Sequence, residues 1–401
     1  MRTVRRVEKH IVRKTSKEWK VIDNIAFLSK NLYNAAMYVF RQSFINDNKI
    51  PSAYDLIQSF SMTNQVDYRA LPAQTAQQII IQVEKTWKSF FRSIKDYKKN
   101  PQKYKGRPRL PKYKKKQKGR NIIVFTSQQI RIKNDKLHFP KKSNLKPIKH
   151  QNSNIKLVRI VPKSYCYVIE VIYEKEIKDE YIDNSKRALS IDLGVNNLAA
   201  CVNTVTGESF LLNGKPVKSV NQFYNKMKSK GQSVKANTDK LGFIRDMKIT
   251  DYLHKVSKWV VDYCKRNRLF RIIIGKNKDW KQNINIGKRN NQKFVMIPFD
   301  KFIKMLEYKA EESGIQIFLV EESYTSKCDS LAKETIERHV SYVGKRKKRG
   351  LFQSFVGKLI NADINGALNI ARKVLGDSFL RKIIDSGLVF NPTKITSFSK
   401  I

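Results

Sequence analysis

Apolar residues recur at helical spacing through residues 16–100. A first stripe occupies Trp19, Ile22, Ile25, Leu28 and Leu32. A second begins after Pro72 and occupies Ile79, Ile80, Val83, Trp87, Phe90, Phe91 and Ile94. A period near 3.6 residues is typical of amphipathic helices, so this region is predicted to be a helical bundle. We interpret the aromatic residues of the second stripe as core rather than as base-stacking platforms.

Strand-like segments flank the helical region. Residues 1–14 form a short basic segment of strand character. Residues 121–178 contain runs rich in β-branched and aromatic residues, divided by turn residues, at 122–125, 129–132, 136–139 and 165–173. We predict a small β-barrel. If the N-terminal strand belongs to it, the helical bundle is an insertion into the barrel.

From residue 186 onward, strands and helices alternate. A strand ends at Asp192, and two more follow around 198–205 and 208–212, joined by a tight Thr206-Gly207 turn. The later predicted elements are a helix over 243–267, a strand over 269–274, a helix over 298–312, a strand over 315–320 and a helix over 363–374. This order is typical of an RNase H-like α/β domain, with its site at the carboxyl ends of the strands. The predicted fold class is therefore α+β multidomain.

The charge of the chain is strongly one-sided. The 401 residues include 81 Lys and Arg against 34 Asp and Glu, a formal net charge of +47. Such a chain repels itself unless a polyanion neutralises it, and nucleic acid is the obvious candidate because each neutralised phosphate releases counterions. Codon bias is the alternative, but it would not suppress acidic residues so far. No apolar run approaches the roughly 18 residues of a membrane span, and no signal peptide is evident, so no membrane partner is expected.

One segment concentrates this charge. Residues 98–120 contain no acidic residue, and their prolines and glycines exclude a regular helix. Cations interleave with tyrosines, as in segments that bind a phosphate backbone and stack on bases, although a solvated linker is the alternative. The predicted contacts are Lys105, Arg107, Arg109, Lys112, Tyr113, Lys114, Lys115 and Lys116. Gln74 and Gln78 carry side-chain amides that can hydrogen-bond to adenine in the major groove. Glutamines are also ordinary surface residues, which is the alternative.

Acidic residues interrupt three apolar runs. Asp192 and the pair Glu321 and Glu322 each close a predicted strand, and Asp363 opens a predicted helix, where the dipole favours a carboxylate. Burying a carboxylate is costly without a partner, and two-metal phosphodiester hydrolysis needs clustered carboxylates. We predict that these four residues form a Mg²⁺ site, with Mn²⁺ as a substitute ion. Adjacent strand residues point to opposite faces, so only one glutamate is expected to bind metal. A solvated turn is the alternative for the pair.

The cysteines are scattered, at Cys166, Cys201, Cys264 and Cys328, and never form a C-x-x-C pair. This spacing argues against a disulfide framework and against a structural zinc ribbon. It predicts a reducing, intracellular location. No P-loop and no Ser-His-Asp arrangement is evident either, so NTP-driven work and serine-nucleophile chemistry are not expected.

At its motifs the chain resembles the TnpB family. Residues 191–199, Ile-Asp-Leu-Gly-Val-Asn-Asn-Leu-Ala, resemble the family's first RuvC motif, and residues 361–370, Asn-Ala-Asp-Ile-Asn-Gly-Ala-Leu-Asn-Ile, resemble the third. Residues 321–328 resemble the block before the family's zinc region, and residues 104–116 resemble the basic segment that opens its barrel domain. The resemblance covers nearly the whole chain in the family's order.

The resemblance implies an RNA-guided DNA endonuclease encoded by an insertion sequence and ancestral to type V CRISPR effectors. Such a protein binds a guide RNA from the transposon end and reads a short motif beside its double-stranded DNA target. It cuts with one magnesium-dependent RuvC site, while base pairing reads the sequence. The implied location is the prokaryotic cytoplasm, in association with the nucleoid. The sequence does not distinguish a transposon protein from a compact CRISPR effector with the same domain organisation, and both alternatives stay open.

The chain departs from the family pattern at the catalytic glutamate. That residue is expected after the strand over 270–274, where this chain has Gly275-Lys276-Asn277. Either the protein is an inactive, RNA-guided DNA-binding repressor, or Glu321 or Glu322 substitutes from the neighbouring strand. We favour substitution. A DDE-type transposase is disfavoured because the acidic order here is Asp-Glu-Asp.

The second departure is the zinc ribbon. Only Cys328 remains, with a distant His339, and these two residues do not make a tetrahedral zinc site. No zinc is expected. The basic run of this insert is predicted to contact nucleic acid through Lys345, Arg346, Lys347, Lys348 and Arg349.

The predicted elements and motifs divide the chain into five parts. They are a β-barrel domain (1–15 and 101–185), a helical recognition domain (16–100), a RuvC-like nuclease domain (186–322 and 359–376), a basic insert in place of the zinc ribbon (323–358) and a C-terminal tail (377–401).

Overall fold

A computed structural model describes residues 2–177, 187–233, 238–277 and 287–398. Two units can be separated, Met1–Ile177 and Lys178–Ile401. The five-part division is finer and stays a prediction, and the ends of its barrel and tail segments, at 178–185 and 399–401, lie outside the described residues. Among the helices of the described ranges, none combines the length and apolarity that crossing a membrane requires.

The first unit contains a four-stranded antiparallel sheet in the order β1-β7-β6-β2. Its strands are β1 (Arg2–Arg13), β2 (Ile123–Thr126), β6 (Ile155–Pro162) and β7 (Cys166–Ile177). A second sheet joins β3 (Arg131–Lys133), β4 (Lys136–His138) and β5 (Ile148–Lys149). Because β1 pairs with β7 along its whole length, the helices that follow β1 are inserted into this sheet. Closure of the strands into a barrel stays a prediction.

The inserted helices carry the two predicted apolar stripes. They are α1 (Trp19–Asp47), α2 (Ala53–Met62), α3 (Val66–Arg69) and α4 (Ala73–Lys99). Trp87 of α4 is fully buried, contacts Phe44 with ring centroids 5.2 Å apart and donates its indole N–H to Met37 Sδ at 3.3 Å. Helices and strands share one hydrophobic core, so the interpretation of the aromatic stripe as core is confirmed.

The second unit contains a six-stranded sheet in the order β12-β11-β8-β9-β10-β16. Its strands are β8 (Ala188–Leu193), β9 (Asn197–Asn203), β10 (Ser209–Asn213), β11 (Arg271–Gly275), β12 (Gln316–Val320) and β16 (Thr393–Ile395). β8, β9 and β10 form an antiparallel meander, whereas β11 runs parallel to both β8 and β12. β8, β11 and β12 therefore end at the same edge of the sheet.

Helices cover this sheet and connect its strands. They are α5 (Lys215–Ser233), α6 (Asp239–Arg266), α7 (Lys288–Val295), α8 (Phe299–Glu311), α9 (Ala362–Leu375) and α10 (Leu380–Ser386). The predicted helices over 243–267, 298–312 and 363–374 correspond to α6, α8 and α9. Between β12 and α9 lies the basic insert, with β13 (Lys345–Lys348), β14 (Leu351–Gln353) and β15 (Leu359–Asn361) in a small antiparallel sheet.

Candidate active site

The carboxyl ends of three parallel strands bring the predicted acidic residues to one edge of the sheet. Asp192 is the penultimate residue of β8, β11 ends at Gly275, and Glu321 directly follows β12. The first turn of α9 adds Asp363, because this helix packs against β8, β9 and β11. The sheet topology and the packing of α9 thus bring together three acidic segments that are far apart in the sequence.

Asp192 is half-buried and closely packed against α9. The helix α9 approaches it so closely that a Cβ on Gly366 would fall 2.7 Å from Asp192 Oδ2. Burial raises the pKa of the Asp192 carboxyl well above its ordinary value, and the nearby carboxylates of Glu322 and Asp363 raise it further. Arg346 of the basic insert acts in the opposite direction. Glu322 and Asp363 are therefore each close enough to Asp192 to disfavour its charged form.

Asp363 is held by local helix chemistry and by one side chain from β9. Asn361 caps α9, since its Oδ1 accepts hydrogen bonds from the backbone N–H groups of Asp363 and Ile364 at 2.9 and 3.3 Å. Asn197 donates its amide N–H to Asp363 Oδ2 at 2.7 Å. This hydrogen bond orients one oxygen of the Asp363 carboxylate. Sequence reasoning did not single out Asn197, although it lies within the Asp-Leu-Gly-Val-Asn-Asn motif.

The two adjacent glutamates are placed very differently. Glu322 is half-buried, and its burial raises its pKa to about 7, with Lys373 acting in the opposite direction. Glu321 is exposed and accepts a hydrogen bond from the hydroxyl of Ser323 at 2.7 Å. Of the pair, Glu322 belongs to the carboxylate cluster and Glu321 faces solvent.

Gly275 leaves space for the carboxylate of Glu322, and Asn277 holds that carboxylate by a hydrogen bond. A Cβ on Gly275 would fall 3.0 Å from Glu322 Oε2, so the carboxylate lies where a side chain at 275 would begin. Asn277 accepts the backbone N–H of Glu322 at 2.9 Å and donates to its Oε1 at 3.4 Å. The residues that stand where the family carries its glutamate thus receive and orient a carboxylate from the next strand. Sequence reasoning did not identify Asn277.

The donor set fits a hard divalent cation by its chemistry. The pKa values of Asp192 and Glu322 are raised, and a bound divalent cation would favour the charged forms of both carboxylates. As they stand, no three His, Cys, Asp or Glu side chains of the described ranges are grouped tightly enough to hold a metal. Side-chain rotation of the acids would have to accompany metal binding.

The basic run of the insert lies on a fully exposed strand. Lys345, Arg346, Lys347 and Lys348 form β13, and Arg349 follows in the turn to β14. The influence of Arg346 on the pKa of Asp192 places its guanidinium near the acidic cluster. The insert therefore carries positive charge to the border of the candidate site.

In the first unit, the predicted basic segment is anchored along α1. Arg41 donates to the Pro111 carbonyl at 2.8 Å, Asn34 exchanges hydrogen bonds with the backbone of Lys114, and Lys30 donates to the Lys116 carbonyl at 2.7 Å. The predicted contacts that remain exposed are Lys105, Arg107, Arg109, Lys112, Tyr113, Lys115 and Lys116. The segment is thus a fixed basic surface rather than a free linker.

Two predicted contacts are used internally. Lys114 turns inward, with its ammonium 4.8 Å from the ring centre of Tyr33, and burial lowers its pKa. Gln74 donates to Gln128 Oε1 at 2.8 Å and accepts from the hydroxyl of Thr126, whereas Gln78 is half-buried on the next turn. Reading of a base by Gln74 would require these internal bonds to open.

The basic insert is held together around a buried carboxylate. Asp329 is fully buried, and its Oδ1 accepts the backbone N–H groups of Leu331 and Ala332 at 3.0 and 3.3 Å. Its Oδ2 accepts the Ser354 hydroxyl and the Phe355 N–H, both at 2.7 Å. This one side chain therefore joins the start of the insert to its final hairpin.

We expect Asp329→Ala to unfold the insert, because the substitution leaves four buried or half-buried donors without their acceptor. The expected loss is about 3 kcal/mol or more in the free energy of unfolding of this region. Limited proteolysis within residues 323–358, followed by mass spectrometry, measures it. Glu337→Ala, at an exposed position of the same insert, is the matched control, and equal protease resistance of the two variants would contradict the assignment.

Comparison with known proteins places this chain among transposon-encoded and CRISPR-associated proteins. A family model described as a probable transposase, OrfB of IS605, matches residues 164–281. A second, described as the Cas12f1-like TNB domain, matches residues 299–370. The two matches together cover the six-stranded sheet through β12, the basic insert and most of α9.

Two curated relatives agree with these matches. The chain is 24% identical over 399 residues to the TnpB-like protein ORF457 of Acidianus two-tailed virus, covering 88% of this chain and 83% of that protein. It is 28% identical over 252 residues to the CRISPR-associated endodeoxyribonuclease Cas12f2 of a Micrarchaeota archaeon, covering 54% of this chain and 44% of that protein. The chain thus spans less than half the length of the Cas12f2 relative. A solved Cas12f1–sgRNA–target DNA complex aligns over 92% of this chain and 100% of its own, at 17% identity and a TM-score of 0.38.

Proposed function

The chain belongs to the TnpB family, and on that premise we propose that it is a guide-RNA-directed DNA endonuclease with one RuvC site. The observation that carries the proposal is the meeting of Asp192, Glu322 and Asp363 at the edge of the second unit's sheet. The strand order of that sheet, an antiparallel meander followed by two parallel strands, supports an RNase H-like fold.

Asp192, Glu322 and Asp363 would hold two Mg²⁺ ions. When bound, the ions supply an activated water and stabilise the leaving oxygen of the phosphodiester. Asn197 and Asn277 keep the carboxylates of Asp363 and Glu322 oriented. The half-buried position of Asp192 lowers the local dielectric, which strengthens its attraction for cations. Without a bound cation, burial and the two neighbouring carboxylates disfavour the charged form of Asp192, and its pKa is therefore raised.

Positive surfaces would position the nucleic acids. The exposed part of the anchored segment 105–116 supplies phosphate contacts in the first unit, and β13 supplies them in the second. Arg346 lies near the acidic cluster, where a guanidinium can bind the phosphate that is cut. We propose a guide RNA and a double-stranded DNA target with a short adjacent motif as partners, and an insertion sequence as the source.

A non-cleaving, RNA-guided DNA-binding protein is the second candidate. It is favoured by Gly275 at the family's glutamate position and by carboxylates that are not yet grouped for metal binding in the described residues. Both candidates share the nucleic-acid surfaces and differ only at the acidic cluster.

Plasmid cleavage separates the two. The protein is expressed together with the DNA that flanks its gene, so that it acquires its RNA, and the complex is mixed with a plasmid library of randomised adjacent motifs. With Mg²⁺, the endonuclease yields linear or nicked DNA that EDTA suppresses. Binding of the target without any cleavage in Mg²⁺ or Mn²⁺ would contradict the endonuclease and support the non-cleaving candidate.

A further inference from the structure

A rigid turn in the basic insert exposes an aromatic side chain. Residues 354–358, here called the aromatic turn, connect β14 to β15, and Phe355 at its tip is 75% exposed. Single exposed apolar residues are common on proteins, so exposure alone does not mark a function. Three further observations distinguish this one.

The first observation is that the turn is fixed. The backbone N–H of Phe355 is bound by the buried carboxylate of Asp329 at 2.7 Å, and the Ser354 hydroxyl is bound by the same oxygen. Ser354 also pairs with Lys358 across the turn at 2.9 Å, and Gly357 takes the positive φ of +80° that closes it. The fold thus holds the backbone of an exposed phenylalanine in one place.

The second observation is the charge around the turn. No Asp or Glu occurs between Glu337 and Asp363, whereas that stretch contains seven cations, at Arg338, Lys345, Arg346, Lys347, Lys348, Arg349 and Lys358. In the strand pairing, Lys345 lies opposite Gln353, the residue before the turn. An aromatic ring in a stretch rich in cations is the combination that binds a phosphate backbone and stacks on its bases.

The third observation is the nearness of the turn to the acidic cluster. After Lys358 the chain passes through the three-residue strand β15 and enters α9 at Ala362, directly before Asp363. Asp363 lies five positions after Lys358, which corresponds to at most roughly 17 Å of extended chain. A strand of DNA at the acidic cluster would reach the aromatic turn within a few nucleotides.

From these three observations we infer that Phe355 stacks on an unpaired base of the DNA strand that is being cut, a few nucleotides from the scissile phosphate. The partner is single-stranded DNA because the faces of paired bases are already stacked within a duplex. β13 holds the backbone of that strand while Phe355 fixes one base, which selects unpaired DNA for delivery to the carboxylates. The inference rests on the proposed nuclease function and adds to it the recognition of the strand.

Photocrosslinking locates the stacked base. The assembled protein–RNA complex is mixed with target DNA that carries 5-iodouracil at successive positions around the cut, in EDTA so that the DNA stays intact. Irradiation is expected to link one position, a few nucleotides from the cut, to the peptide that contains Phe355. Bound DNA that links to other peptides and never to this one would overturn the inference.

Substitutions then measure the contribution of stacking. Phe355→Ala is expected to raise the half-saturating concentration of a single-stranded substrate by roughly 5- to 100-fold, with the salt dependence of binding unchanged. Phe355→Tyr keeps a ring and should stay within about twofold of the wild type. Lys347→Gln should instead reduce the salt dependence. Val340→Ala, a fully exposed apolar position of the same insert, is the matched control.

The outcomes separate the inference from its premise. If the wild type cleaves and Phe355→Ala binds and cleaves single strands equally well, stacking by Phe355 is wrong and the nuclease stands. If Phe355→Tyr loses as much affinity as Phe355→Ala, the ring does not act by stacking. If the wild type binds no target DNA, the proposed function fails and the inference fails with it.

Discussion

Asp192→Asn is expected to lower DNA cleavage by at least about 1,000-fold while guide-RNA binding stays unchanged. The substitution keeps the size of the side chain but removes the charge that would hold the metal ions, a loss of roughly 4 kcal/mol or more of transition-state stabilisation. Asp192 lies within the second unit's carboxylate cluster, and the substitution leaves the exposed cations of β13 unchanged. Cleavage under single-turnover conditions and filter binding of the RNA measure the two effects.

The matched control for this substitution is Asp251→Asn. Asp251 lies on α6 with its side chain 64% exposed and paired with Lys255, so the change in net charge is the same without any effect on the cluster. Its cleavage rate should remain within about twofold of the wild type. Retained cleavage by Asp192→Asn at wild-type rates would exclude a nuclease site at this edge of the sheet.

The same variant should also be more stable than the wild type in the absence of divalent metal. Burial and the carboxylates of Glu322 and Asp363 disfavour the charged form of Asp192, and an amide relieves that repulsion. We expect a rise in Tm of a few degrees, corresponding to roughly 1 kcal/mol. A fall in Tm without metal would mean that the carboxylate has a stabilising partner. Function and stability are thus opposed at this position, as is common in active sites.

Hydrophobic periodicity predicted most of the long elements. The stripes at Trp19–Leu32 and Ile79–Ile94 correspond to α1 and α4 because long amphipathic helices bury one continuous face. α5 was not predicted, since Val217 is the one apolar residue that it buries fully among many lysines, asparagines and glutamines. Its helical conformation depends on packing against α6, which a local pattern does not reveal.

The place where the acidic side chains meet could be predicted from the sequence, but the geometry of the candidate site could not. Acidic residues after apolar strands predicted the sheet edge at which these side chains meet, because parallel strands end together. The strand pleat implied that Glu321 and Glu322 face opposite sides, but which one faces inward depends on the end of β12 and on Asn277, a residue 45 positions away. The inward turn of Lys114 is likewise a tertiary effect, set by Tyr33 of α1.

Glu322 and Glu321 provide the sharpest test of the rearranged site, because they are neighbours with the same chemistry. Glu322→Gln is expected to lower cleavage by roughly 100- to 1,000-fold, since it removes one metal-binding carboxylate and leaves the fold intact. Glu321→Gln, at an exposed position whose side chain accepts a hydrogen bond from Ser323, should cleave within about threefold of the wild type. Cleavage rates at several Mg²⁺ concentrations measure both variants.

The dependence on metal concentration shows whether Glu322 acts as a ligand. If it does, Glu322→Asp should recover part of the lost activity at high Mg²⁺, because a shorter carboxylate still offers oxygen to the ion. Asn277→Ala should raise the Mg²⁺ requirement by roughly 10- to 100-fold, because it releases the carboxylate of Glu322 from its hydrogen bond. Equal losses in Glu321→Gln and Glu322→Gln, or a greater loss in Glu321→Gln, would show that the family's missing glutamate is not replaced by Glu322.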